Sequence, residues 1–174
     1  MSSAFIEALA AGGPAPERGD KMDLYGRFVG SWDLEVTRWL EDGRERRRQG
    51  EWHFGWVMEG RAIQDVWIVP RRGQRPGDAV AQQFAYGSTL RIYDLRLDAW
   101  RIQWTEPVLG AYLTMIGRAE GSDIVQLGQD EDGNDLRWSF RDIRPGSFLW
   151  RGEMSKEGGG TWRKVVEFMA KRVA

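Results

Sequence analysis

The fold is decided in Gly50-Glu51-Trp52-His53-Phe54-Gly55-Trp56-Val57-Met58-Glu59-Gly60-Arg61-Ala62-Ile63-Gln64-Asp65-Val66-Trp67-Ile68-Val69-Pro70. Two runs of aromatic and β-branched residues flank Glu59-Gly60, a glycine-containing pair of the kind that reverses a chain tightly, so the stretch reads as a long β-hairpin. It holds the only histidine, His53, and three of the ten tryptophans.

From Gly30 to the end the same period-two alternation persists, with turn residues at short, regular intervals, which is the pattern of an all-β sandwich or barrel. Ser31 to Leu40 sets Trp32, Leu34 and Val36 on one face, and Asp42-Gly43 turns the chain into Arg44 to Met58. Gly87 to Leu95 and Ala99 to Glu106 form a second hairpin in which Leu90 and Ile92 face Trp100, Ile102 and Trp104. A three-residue connection at Glu120-Gly121-Ser122 sets Leu113 and Met115 against Val125 and Leu127, and a two-residue turn at Asp132-Gly133 pairs Val125 and Leu127 with Phe140 and Trp138. Pro145-Gly146 and Gly158-Gly159-Gly160 close the last strands.

The total is about ten strands without a helical crossover, and closing such a meander removes its unpaired edges. The expectation is an all-β fold, a closed antiparallel up-and-down β-barrel with a short N-terminal helix; a sandwich is the alternative. One conflict remains inside the hairpin. A two-residue turn at Asp42-Gly43 places Trp32 and Leu34 beside His53 and Glu51, whereas Glu59-Gly60 groups Trp52, Phe54 and Trp56 with Ile63, Asp65 and Trp67. Either a bulge near Gly50 or Gly55 shifts the register, or one tryptophan face lies outside against a second subunit, a homodimer.

Upstream, residues 4 to 11 have the pattern of a short amphipathic turn or helix and Gly12-Gly13-Pro14-Ala15-Pro16 that of a linker, so residues 1 to 19 read as a partly mobile arm and residues 20 to 174 as one barrel domain. Met22, Tyr25, Phe28 and Val29 have helical spacing behind Asp20, a candidate N-cap, and this short helix is expected to plug one barrel end.

Composition narrows the function. The 174 residues contain no cysteine and a single histidine, which excludes thiolate and multi-histidine metal sites, and no phosphate-binding or nucleophile-elbow motif is present. Lysine plus arginine (25) balance aspartate plus glutamate (26), so neither nucleic acid nor an anionic membrane is an expected partner. No apolar run approaches the roughly 18 residues of a membrane span, and no basic leader precedes Ala4 to Ala11, so a cytoplasmic protein is expected. The arginine run Arg44, Arg46, Arg47 and Arg48 reads as a wet strand end. Arg71-Arg72-Gly73-Gln74-Arg75-Pro76-Gly77-Asp78 is either a lid or a plain surface connection.

Gly30-Ser31-Trp32, just after a short helix, resembles the Gly-x-Trp opening of the lipocalins and the wider calycin group. Gly50-Glu51-Trp52-His53-Phe54, Glu59-Gly60-Arg61-Ala62-Ile63-Gln64-Asp65 and Ile92-Tyr93-Asp94 before Trp100 extend the likeness to the DUF1579-type lipocalin-like barrels, a family of unknown function, over roughly residues 22 to 170. The resemblance implies a closed barrel with an internal cavity for small apolar or amphipathic molecules, and a basic residue of the last strand, Arg172 or Arg163, packed on Trp32. Haem-binding nitrobindin-like barrels carry a histidine ligand in their C-terminal part, whereas the sole histidine here is His53; no cofactor is expected.

The candidate ligand-binding residues are Trp52, Phe54, Asp65, Trp67, Trp104, Glu106, Trp138 and His53. The tryptophans and Phe54 would form aromatic walls. Asp65 lies among Phe54, Ile63 and Trp67 and either meets ligand or pairs with Arg61 or Arg91. Glu106 ends an apolar strand face, and His53 has Glu51 and Asp65 as candidate acid/base partners. Two functions follow: a module that binds a small apolar or amphipathic molecule, or a small-molecule enzyme of isomerase, cyclase or hydrolase type using Asp65, Glu106 or His53.

Overall fold

A computed structural model describes residues 3–75, 77 and 84–173. Helix α1 (Ala4–Leu9) and the two-residue strand β1 (Ala10–Ala11) precede a 3₁₀ helix (Pro16–Met22) and the single turn α2 (Asp23–Gly26). Ten strands follow: β2 (Gly30–Trp39), β3 (Glu45–Val57), β4 (Ala62–Val69), β5 (Ala85–Asp94), β6 (Ala99–Glu106), β7 (Ala111–Glu120), β8 (Asp123–Gln129), β9 (Asp135–Arg144), β10 (Ser147–Ser155) and β11 (Arg163–Arg172). Each pairs antiparallel with its neighbours in sequence, and β11 pairs with β2, so the meander closes into the expected up-and-down barrel.

The hairpin conflict is resolved by the length of one turn. Trp39 pairs with Glu45, Leu40 N–H donates to the Arg44 carbonyl, and Gly43 closes the loop at φ 82°. Glu41-Asp42-Gly43 is therefore a three-residue loop ending in a left-handed glycine, not a two-residue turn. Because side chains alternate, that one residue moves Trp32 from His53 to Trp52 and Leu34 to Gly50. The Glu59-Gly60 reversal keeps the expected register, with Trp52 opposite Trp67 and Phe54 opposite Asp65. Trp32, Trp52, Phe54, Asp65 and Trp67 thus share the interior without a bulge, and a homodimer has no outward tryptophan face to use on this hairpin.

Two other turns are corrected in the same way. Glu131-Asp132-Gly133 repeats the three-residue loop, with Asp130 N–H donating to the Asn134 carbonyl, and Gly121-Ser122 is a two-residue loop between the paired Glu120 and Asp123. Ile124 and Gln126 consequently sit opposite Phe140 and Trp138, while Val125 and Leu127 face outward. On β5 the inward residues are Thr89, Arg91 and Tyr93, opposite Trp104, Ile102 and Trp100; Leu90 and Ile92 lie on the outer face.

The end at which β2 begins is sealed. Met22, Tyr25 and Phe28 are fully buried there, Phe28 stacking on Phe140 at 4.5 Å and Tyr25 meeting Trp100 edge-on at 4.9 Å. Asp20 does not cap α2; Met22 occupies the cap position without a side-chain bond. Trp32 Nε1–H donates to the Phe28 carbonyl at 2.8 Å. The Arg172 guanidinium lies 4.2 Å from the centre of the Trp32 ring and donates to the carbonyls of Val29, Arg27 and Pro145. Gly30 makes room for it, since a Cβ there would lie 2.8 Å from Arg172 Nη1. Arg172 is therefore the basic partner, and Arg163 is exposed. The N-terminal arm is docked: β1 pairs with Val57 and Trp56 of β3, and Ala15 N–H donates to the Gly60 carbonyl. Among the described residues no helix is long and apolar enough to cross a membrane.

Candidate ligand-binding site

At the opposite end the barrel holds a cavity of about 290 Å³, at the small end of the range for ligand pockets. Its wall is a ring of indoles. Trp67 lies 5.2 Å from Trp104, Trp104 6.1 Å from Trp138, Trp138 5.3 Å from Trp150, and Trp150 6.3 Å from Trp67, between ring centres. They come from β4, β6, β9 and β10, whose inward positions the register brings to one level. Trp150 also stacks on Phe168 at 4.6 Å, which fixes its plane. Leu136, Met154 and Val166 supply aliphatic wall, and Arg38 and Phe84 complete the rim. Gly87 creates space for Trp104, because a Cβ there would lie 2.6 Å from Trp104 Cζ2. The indole N–H groups of Trp67 and Trp150 have no acceptor among the described residues.

Of the eight residues singled out in the sequence, Trp67, Trp104, Trp138 and Glu106 border this cavity. Trp52 and Phe54 lie deeper, 4.7 Å apart, with Trp52 5.7 Å from Phe140. Glu106 is held by the chain itself: its carboxylate accepts from the backbone N–H groups of Tyr86, Val108 and Leu109, fixing the β6–β7 loop to the start of β5.

Asp65 belongs to the sealed half, where it pairs with Arg91 and both side chains are excluded from solvent. Three rings, Tyr25, Phe54 and Phe140, surround the Arg91 guanidinium at 5.1 to 5.8 Å from their centres. The Tyr25 hydroxyl donates to Gln126 Oε1 at 3.0 Å, and burial pushes its phenol above the ordinary range. Asp65 Oδ1, Arg91 Nε and Gln126 Nε2 have no partner among the described residues, so this buried cluster is only partly satisfied.

His53 faces outward, away from the ring. Its Nδ1 is 2.9 Å from Ser31 Oγ and its Nε2 3.0 Å from Glu51 Oε2. Glu51 accepts three bonds from Arg72, at 2.8 to 3.0 Å, and these hold its carboxyl at about 2, well below the usual value. The three acid/base candidates thus occupy three places: Asp65 beneath the aromatic floor, Glu106 on the rim, His53 on the outer wall. Among the described residues no cluster of histidine and carboxylates has the form of a metal site. Of the loop after β4, Pro76 and Asp78 lie outside the described residues; Arg71 and Arg72 tie its start to Asp33 and Glu51.

Sequence reading missed Trp150 and Arg38 as site residues. Parity held the signal for Arg38, which continues the inward series Trp32, Leu34, Val36 and points its charge into the mouth.

No family model and no curated sequence matches the chain. Solved structures do. The chain is similar to the S-type phycobiliprotein lyase CPES from Guillardia theta, with a TM-score of 0.59 at 11% identity over 92% of this chain and 99% of that one. It is similar also to Rv2717c from M. tuberculosis, with a TM-score of 0.62 at 11% identity and the same coverage. These likenesses show a lipocalin-like β-barrel.

Proposed function

We propose that this protein binds a small apolar or amphipathic molecule in the tryptophan-ringed cavity, as a barrel of the kind seen in the DUF1579-type proteins. The observation that carries this reading is the cavity of about 290 Å³ at the unplugged end, walled by Trp67, Trp104, Trp138 and Trp150. A barrel that used its tryptophans only for packing would fill that end as it fills the other, where Phe28, Trp32, Phe140 and Phe148 are in contact. Flat aromatic walls contribute apolar area and ring contacts without fixing one ligand shape. The two indole N–H groups without acceptors among the described residues offer donors to an ether or carbonyl oxygen.

Native mass spectrometry against a panel of fatty acids, aromatic compounds and tetrapyrroles tests the reading. At least one class is expected to bind one to one, and Met154→Trp, which fills the cavity from its wall, is expected to weaken that complex by roughly tenfold or more. A panel without binders, or binding indifferent to Met154→Trp, would overturn it.

A further inference from the structure

We propose that the ligand of the cavity is an anionic amphiphile, its carboxylate, sulfonate or phosphate head held by Arg38 at the mouth and its apolar body lying against the tryptophan ring. This inference rests on the cavity reading above and adds the charge of the ligand to it.

The starting point is strand parity. Trp32, Leu34 and Val36 of β2 are buried inside the barrel, and Arg38 is the next residue of that series. Its register partner is Arg46, and Val36 has Arg48 as its partner, so both arginines continue on β3 the inward series of Gly50 and Trp52. Arg46 and Arg48 are half-buried while Arg44 and Arg47 are exposed, so the wet strand end expected for this run describes only its outward residues. Three guanidinium groups from two adjacent strands therefore converge on one corner of the mouth, beside Trp67 and Ala85.

Like charges do not gather at a half-buried corner without cost. Desolvation lowers the pKa of Arg38, with the neighbouring Arg46 and Arg48 charges as further causes, and Arg48 is lowered in the same direction. An arginine stays protonated regardless, so Arg38 presents a full positive charge at the rim of the cavity.

The acids that border the cavity are engaged elsewhere and do not pair with Arg38. Glu106 accepts three backbone N–H groups. Glu153 accepts from Arg137 Nε at 2.9 Å. Asp130 accepts from the backbone N–H groups of Asp132 and Asn134 and from the Asn134 side chain. Arg38, bordering the same cavity, makes no hydrogen bond or ion pair among the described residues. A planar guanidinium with unengaged donors matches a two-oxygen anionic head, and an apolar ring behind it matches a tail.

Matched probes test the charge separately from the cavity. Dodecanoate and dodecanol share a chain and differ in the head group, and each is titrated into the full-length protein by calorimetry. Dodecanoate is expected to bind about tenfold or more tightly than dodecanol, because a charge-assisted bond distinguishes them. Arg38→Gln is expected to collapse that ratio to about twofold, and Arg38→Lys to retain part of it. If Arg38→Gln fails to fold, Arg38→Lys and a salt titration of the unmodified protein replace it: added salt should weaken dodecanoate and spare dodecanol. Equal binding of the two probes, unmoved by Arg38→Gln or by salt, would overturn the anion inference and leave the cavity reading standing. Failure of both probes to bind, together with the panel above, would overturn both.

Discussion

The two ends of the barrel are built from the same residue types and use them differently. At the sealed end Arg172 lies on Trp32 and donates to three carbonyls, and Arg91 lies among Tyr25, Phe54 and Phe140 and pairs with Asp65. At the unplugged end four tryptophans surround a cavity whose rim carries Arg38, which makes no ion pair among the described residues. Arginine and aromatic side chains therefore do not mark a site by their presence. A charge that the protein has already paired is architecture, and one that it leaves unpaired beside a cavity is the better pointer to a ligand.

The largest expected effect lies in the sealed half. Asp65→Ala would leave the Arg91 guanidinium buried without its carboxylate, an arrangement that costs about 3 to 5 kcal/mol. Urea unfolding followed by tryptophan fluorescence measures it. Pairing Asp65→Leu with Arg91→Met should recover most of that loss, because the native pair is itself incompletely bonded, with Asp65 Oδ1 and Arg91 Nε lacking partners among the described residues. A single variant as stable as the parent would show that water reaches this cluster, and the contrast between the ends would weaken.

A smaller effect is expected at the mouth. Gly87→Ala places a methyl group 2.6 Å from Trp104 Cζ2 and forces that indole toward the cavity. Overpacking of this kind costs about 1 to 3 kcal/mol. The same variant should weaken dodecanoate binding several-fold, whereas Asp65→Leu with Arg91→Met should leave it near the parent value. Equal loss of binding in both would mean that the two ends are coupled.

Closure of the barrel was legible in the sequence because it depends only on the number of strands and the shortness of their connections. The inward faces were legible where the interior is apolar, as with Trp52, Phe54 and Trp56 across from Trp67, Asp65 and Ile63. They were misread on β5 and β8 for a physical reason: the interior there carries Arg91, Thr89 and Gln126, so the more apolar face, with Leu90, Ile92, Val125 and Leu127, is the outer one. Hydrophobic alternation chooses the wrong side when a strand buries a polar cluster. Register failed at Asp42-Gly43 and Asp132-Gly133 because the glycine ends a three-residue loop in both, and the dipeptide alone does not distinguish that loop from a two-residue one. Arg38 was hidden because a charged residue at the end of an apolar strand face reads as solvated until the strands are closed around it.

The smallest expected effect separates the outer wall from both ends. His53, Ser31, Glu51 and Arg72 form a bonded chain on the exterior, and its energetic centre is Glu51, whose carboxyl Arg72 holds at about 2 against an ordinary value of 4.5. A carboxyl depressed in the folded state stabilises it fully above the unfolded value, and that contribution is lost as the pH falls from about 4.5 through 2. Arg72 is 58% exposed, so solvent screens the pair and the contribution is reduced to about 1 kcal/mol. Urea unfolding of the parent and of Glu51→Gln should therefore differ by that amount near neutral pH and converge toward pH 2, with no change in dodecanoate affinity at neutral pH. A gap that persists in acid would mean that Glu51 acts through packing and not charge. Altered ligand affinity would mean that Arg72 carries the state of the outer wall to the start of the loop that follows β4, and the division between wall and mouth would have to be redrawn.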